Sequence, residues 1–318
     1  ADLVRAVLFA ICCLDVPVGV LLAAVALASL ATPAFASARS ALLPDAAAER
    51  YPEAVKLTTA TNQVSLALGA LAGGALLAWL GPEGALGANS VSFVVSAMFL
   101  TRLTVGRQPS RVGTTIGKHL AGTWELLRTD PFLRGAATVA AGASAGLMAA
   151  EALAAAVGLD ASGAGAAGVF AAAVPVGTIV GALICPRPAD HRHALALAGL
   201  LCVIGGGVAA GLFVISTGWM LAIPFAFIGL AFALVIPTQV IVGDRLVGEY
   251  RATGFAVLTG FLLGAQAVGA ALGGVIASVT GLRAVCVGGA AVAALFGIFT
   301  MIRWRPHHPV VASATTPS

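Results

Sequence analysis

The chain has 318 residues, of which 59% are hydrophobic and 9% charged, with a net charge of +4 and a mean hydropathy of +1.01. An ordinary soluble domain is about 25% charged, and a core built from 318 residues cannot absorb so much apolar surface, so lipid must be the main solvent. The basic residues are dispersed among loops rather than gathered into an aromatic-interleaved stripe, which excludes a nucleic-acid partner.

A spanning helix needs roughly 20 mostly apolar residues. In chain order the predicted spans are 1–14, 18–37, 64–81, 85–101, 136–157, 163–185, 194–215, 218–242, 255–280 and 284–302. The first is short: at ~1.5 Å per residue it falls well below a hydrocarbon core, so the sequence is expected to begin inside a helix. Arg5, an apolar run and Ala34-Phe35-Ala36 imitate a secretory leader. Two apolar stretches precede that site and the chain beyond is equally hydrophobic, so no cleaved leader is expected.

The connections alternate in character. Segments 15–17, 82–84, 158–162, 216–217 and 281–283 are tiny and hold one basic residue, Arg283, whereas the remaining connections and helix ends hold fifteen. Positive residues stay cytoplasmic, which predicts a multi-pass inner-membrane protein whose long loops and C-terminus face the cytoplasm. The longest connection, 102–135, contains IGKHLAGTWELLRTDPFLR, where Ile116, Leu120, Trp124 and Leu127 punctuate charges. That pattern predicts an amphipathic helix on the membrane surface, broken before Pro131. The Pro/Ser/Thr-rich tail 303–318 is read as disordered.

Gly69, Ala70, Gly73, Gly74 and Gly81 recur two hundred positions later as Gly269, Ala270, Gly273, Gly274 and Gly281. Internal repeats are the usual plan of secondary transporters. The halves then divide as 1–101, the remainder of an N-terminal bundle with four spans; 102–135, a linker; and 136–302, a six-helix C-terminal bundle. Matching halves imply two further spans upstream, twelve in all. The fold class expected is an all-α polytopic bundle pair.

Small residues four apart share a helix face, so Gly69/Gly73 and Gly269/Gly273 read either as tight packing or as a sliding contact between the bundles. Glu151 is the one acid well inside an apolar span, placed there to carry a coupling proton, to meet a cation, or merely to sit hydrated at the outer mouth. Gln239, Gln266 and Asn89 are uncharged polar groups at membrane depth, suited to substrate contact or to interhelical hydrogen bonds. Asn62 and Gln63 are assigned to a cytoplasmic helix entrance. The five cysteines have odd number and no CxxC spacing, so disulfides and zinc are not expected. Without a P-loop or HExxH, neither an ATP-driven pump nor a metalloenzyme is indicated, and no cofactor or metal is expected.

Several segments resemble the major facilitator superfamily, and within it the drug-exporter branch of macrolide-efflux and enterobactin-exporter-like proteins: ADLVRAV (1–7), PAFASARSALLPD (33–45), TATNQVSLALGALAGG (59–74), ELLRTDPFLR (125–134) and GALICPRPADHRHALALAG (181–199). The last is similar to a worn copy of the superfamily's charged Gly-x-x-x-Asp-Arg loop, with Asp190 and Arg192 as remnants; Asp244 and Arg245 are grouped with them as cytoplasmic gating charges. The exporters' Gly-Pro-x-x-Gly-Gly motif here reads Gly69-Ala70-Leu71-Ala72-Gly73-Gly74, without the proline. The resemblance implies a monomeric transporter that exports an amphipathic small molecule, such as an antibiotic or siderophore, in exchange for protons. The competing classes are an inactive fragment, a non-transporting scaffold and, least favoured, a polytopic membrane enzyme.

Overall fold

In the computed structural model the described residues are 7, 19, 50–101, 116–246 and 250–304. Apart from residues 7 and 19, the predicted spans 1–14 and 18–37 lie outside them, as does the tail from 305 to 318. The described part is helical: α1 (Tyr51–Thr101), α2 (Ile116–Thr129), α3 (Pro131–Glu151), α4 (Ala154–Ser162), α5 (Ala164–Ile184), α6 (His191–Ile215), α7 (Ala222–Phe232), α8 (Val235–Arg245), α9 (Tyr250–Thr280) and α10 (Leu282–Arg303), with a 3₁₀ turn Gly218–Leu221 before α7. Seven stretches among the described residues are long and apolar enough to cross a membrane: Tyr51–Gly81, Pro131–Ser162, Gly165–Ile184, His191–Ile215, Gly218–Arg245, Thr253–Thr280 and Leu282–Arg303. A shorter apolar helix, Gly84–Val95, follows the first.

The helix starts differ from expectation for local reasons. The span expected at 64 begins at Tyr51, so residues 51–63 are helix rather than loop. The span expected at 136 begins at Pro131, because Asp130 caps it, accepting hydrogen bonds from the amides of Phe132 (2.8 Å) and Leu133 (3.1 Å), with proline in the first turn where its missing N–H costs nothing. Asp190 likewise starts α6 three residues early by accepting from the His193 amide at 2.8 Å. The expected loop 158–162 is instead the end of α4, after a break at Ala152–Leu153. The amphipathic helix and its break before Pro131 appear as predicted.

Tight turns on the side poor in basic residues are made by glycine. Gly81 has φ 71° and ψ −178°, and Gly281 has φ 89° and ψ 157°, a region L side chains avoid. The two-hundred-residue repeat therefore preserves a backbone turn as well as a letter. Arg283, the single basic residue on that side, ties two turns together by donating to the Ser216 carbonyl at 2.6 Å.

The main core joins α3, α5, α6, α7 and α10 through Leu147, Phe170, Leu195, Phe213, Phe225 and Ile228. Phe213 and Phe225 meet edge to face at 5.0 Å. Glycines bring the backbones close: a Cβ at Gly177 would lie 1.8 Å from the Ala226 carbonyl oxygen, and one at Gly229 would lie 1.9 Å from that of Val174. Thr178 fastens the same crossing by donating to the Gly229 carbonyl at 2.9 Å. Small residues permit this approach where no hydrophobic effect drives helices together in lipid.

Candidate functional site

A cavity of about 220 Å³ lies between α1 and the helices α3, α7, α8 and α9. Thr58, Thr59, Asn62 and Gln63 line it from α1, Ser144 from α3, and Gln239 and Gln266 from α8 and α9, with Phe232, Leu234 and Leu262 as apolar walls. A smaller, mostly apolar pocket of about 60 Å³ adjoins it through Ala140, Val235, Gln239 and Leu262. The combined surface is amphipathic, with four carboxamides that can each donate and accept. The buried Gln63 Oε1 has no hydrogen-bond partner among the described residues, so an acceptor stands ready for a donor group.

The structure thus brings Gln239 and Gln266 together, as the sequence reading allowed, and leaves Asn89 outside this cavity. It corrects the placement of Asn62 and Gln63. They are not at a helix entrance but a dozen residues into α1, facing the second half. Thr58, Thr59 and Ser144 had not been singled out. A signal for the α1 residues exists: Tyr51, Val55, Thr58/Thr59 and Asn62/Gln63 recur at helical spacing along one face. It was unreadable while that stretch was taken for a loop.

Glu151 lies at the end of α3, next to the break at Ala152–Leu153, and makes no hydrogen bond or ion pair among the described residues. At ~100° per residue it falls about 20° from each of Ala140 and Ser144 on the helix face that borders the cavity, about 10 Å beyond Ser144.

Beneath the cavity, on the face where the basic residues gather, α1 is tied to the second half by three contacts. The Tyr51 hydroxyl donates to the Gln239 carbonyl at 2.8 Å. Lys56 Nζ donates to the Cys185 carbonyl. Arg187 pairs with Glu53 at 3.6 Å. The Tyr51 ring is 4% exposed because it packs on Gly243, where a Cβ would lie 2.3 Å from its Cε1.

The four gating charges do not form one cluster. Arg245 donates to Asp130 (3.1 Å) and to Nδ1 of His191 (3.3 Å), and Asp244 meets the other ring nitrogen of His191 at 3.3 Å. Arg245 also stacks over Phe132, its Cζ 4.8 Å from the ring centroid. Asp190 turns away to cap α6 and to pair with His193 at 2.9 Å, and the His193 amide holds its carboxyl below the usual range. Arg192 stands over the Trp304 ring at 5.9 Å. Asp130 and His191, which join the ends of three segments, had not been anticipated as partners.

The repeated glycines occupy unlike surroundings. Among the described residues a Cβ at Gly69, Gly73 or Gly274 would meet nothing within 4 Å. At Gly74 it would lie 2.7 Å from the Gly168 Cα, so α1 crosses α5 there at close range. At Gly269 and Gly273 it would lie 2.0 Å from the Ala145 carbonyl oxygen and 3.0 Å from the Ala149 Cα, on α3. The close crossing between α1 and the second half is therefore Gly74 on Gly168, while Gly269 and Gly273 pack within the second half.

Residues 3–261 match the Major Facilitator Superfamily. The chain belongs to this superfamily. No curated protein matched it. Its fold is similar to the crystal structure of the E. coli fucose:proton symporter FucP, with a TM-score of 0.62 at 13% identity, over 96% of this chain and 82% of that one. A major facilitator chain is a polytopic all-α membrane protein and a secondary transporter of small molecules rather than an enzyme.

Proposed function

We propose that this chain is a proton-coupled exporter of amphipathic small molecules, of the antibiotic or siderophore class, and that the cavity between α1 and the second half is its substrate compartment. The observation that carries this reading is the cavity's lining. Carboxamides and hydroxyls fix polar groups, while Phe232, Leu234 and Leu262 take apolar ones. Pockets that bind small molecules commonly combine apolar walls with a few placed polar groups.

In this reading the basic face is cytoplasmic, as is the C-terminus, in the inner membrane. The bundles divide at the linker 102–135. The Tyr51, Lys56 and Arg187 contacts then close the cytoplasmic side under the cavity, and the opposite end opens in this state. Glu151, on the cavity-facing stripe of α3 near the open end, takes the coupling proton. It has no ionic partner among the described residues to hold it ionised, and an ionisable group at membrane depth marks a proton path by default. Proton entry at Glu151 and substrate release share one open compartment, so one state serves both exchanges. A symport reading uses the same compartment and differs only in which side the substrate leaves from.

Everted membrane vesicles bearing the protein test this reading. A panel of amphipathic antibiotics and siderophores should yield at least one compound that dissipates a pre-formed proton gradient, and Glu151→Gln should abolish that response at equal protein level. A panel without any such response, or an unchanged response in Glu151→Gln, overturns the coupling scheme.

A further inference from the structure

We propose that the groove between the amphipathic helix α2, the start of α3 and the first turns of α9 is a binding site for an anionic phospholipid. It encloses about 380 Å³, shares no lining residue with the 220 Å³ cavity, backs onto the smaller apolar pocket through Ala137, Leu258 and Phe261, and has an acidic-headgroup end and an acyl-chain end built from different residues.

The polar end is Arg128 and Arg134. Arg134 Nη1 donates to the Arg128 carbonyl at 3.1 Å, which fixes one guanidinium beside the turn that carries the other. Arg128 stacks over Trp124, Cζ 5.8 Å from the ring centroid. Neither guanidinium has a carboxylate within ion-pair distance among the described residues. The acids nearest in sequence do not serve: Asp130 is held by Arg245 and by its capping bonds, and Glu125 forms no ion pair among the described residues. Two cations are thus held side by side with their charge unanswered.

The other end is apolar. Leu127, Leu258 and Phe261 form the wall, and Phe261 and Trp124 are 58% and 57% exposed. In a chain that spans a membrane, α9 carries this wall from its first turns toward the bilayer interior, while α2 lies across its end. Tryptophan and arginine at this depth match the headgroup boundary, and a basic pocket between transmembrane helices suits an acidic headgroup. Charge complementarity selects an anionic phospholipid over a zwitterionic one. It would pin α2, and with it the linker, to the second half.

Native mass spectrometry of the purified chain, equilibrated with mixed micelles of phosphatidylglycerol and phosphatidylcholine, tests this. Each arginine near an anionic headgroup contributes about fivefold, so two should give a preference for phosphatidylglycerol of about 25-fold. R128Q/R134Q should lose it, whereas R187Q, whose arginine already pairs with Glu53, should keep it. Equal retention in R128Q/R134Q overturns the site. So does displacement of the lipid by inorganic phosphate, which would make it a free-anion site, or a dimer that R128Q/R134Q dissolves, which would give the groove to a second copy. Should the double variant not fold, brominated lipids decide on the parent. The fluorescence difference between parent and W124F should be quenched by brominated phosphatidylglycerol and much less by brominated phosphatidylcholine; equal quenching refutes the proposal.

Discussion

Neighbouring glycines on α1 should respond in opposite directions to the same substitution. Gly74→Ala places a Cβ 2.7 Å from the Gly168 Cα and 3.0 Å from its nitrogen. Carbon atoms in contact settle at about 3.5–4.0 Å, so α1 and α5 must move apart by about 1 Å. Both near atoms are backbone and cannot swing aside. Overpacking of this kind costs about 1–3 kcal/mol, against about 0.5–1 kcal/mol gained when a helical glycine becomes alanine. Gly73→Ala adds the same methyl where nothing described lies within 4 Å and keeps only the gain. Unfolding of each purified variant in detergent, followed by tryptophan fluorescence, should place Gly74→Ala below the parent and Gly73→Ala level with it or above. Coincident midpoints would refute the close crossing of α1 and α5.

Other substitutions probe the remaining contacts. Gly243→Ala should displace the Tyr51 ring, whose Cε1 would lie 2.3 Å from the new Cβ; an impermeant thiol reagent applied from the basic face should then reach a cysteine at Asn62 faster than in the parent. Asp130→Ala removes a helix cap worth about 1 kcal/mol and frees Arg245, lowering the unfolding midpoint, whereas Asp130→Asn should retain most of the cap. The carboxyl of Asp190 is held below its ordinary range by the His193 amide. Its contribution to stability is therefore full above the unfolded carboxylate pKa of about 4 and is lost only as pH falls below that. Asp190→Asn, which keeps a capping oxygen but not the charge, should accordingly lose that contribution between neutral pH and pH 5 and approach the parent only as pH falls below about 4, checked by thermal unfolding; coincident unfolding of the two between neutral pH and pH 5 would refute the role of the charge.

The architecture was legible wherever hydropathy and glycine act alone. Runs of apolar residues marked the membrane helices of the second half, and the two-hundred-residue repeat picked out Gly81 and Gly281, although not the positive φ that both adopt. Helix starts were harder, because polar caps such as Asp130 and Asp190 extend a helix beyond its apolar stretch. The cavity was half legible. Gln239 and Gln266 stood out against apolar sequence, but Thr58, Thr59, Asn62 and Gln63 lie in a polar run that hydropathy assigns to a loop. Only packing of α1 against α5 and α8 makes that run a helix face. The partners of Arg245 were out of reach for another reason: Asp130 and Arg245 are 115 positions apart, and no local pattern links them.

The central claim is that water and substrate enter a chamber between α1 and the second half. Thiol accessibility measures this most directly. Single cysteines at Gln63, Ser144 and Gln266, in the protein with its native cysteines replaced, are compared with cysteines at Leu68 and Val275, which are 61% and 67% exposed on the outer surface of α1 and α9. The account predicts that the three chamber positions react readily with a small impermeant reagent while the two surface positions, facing lipid, stay inert. It also predicts that the transported compound protects the chamber positions. Chamber cysteines as unreactive as Leu68→Cys and Val275→Cys would contradict it.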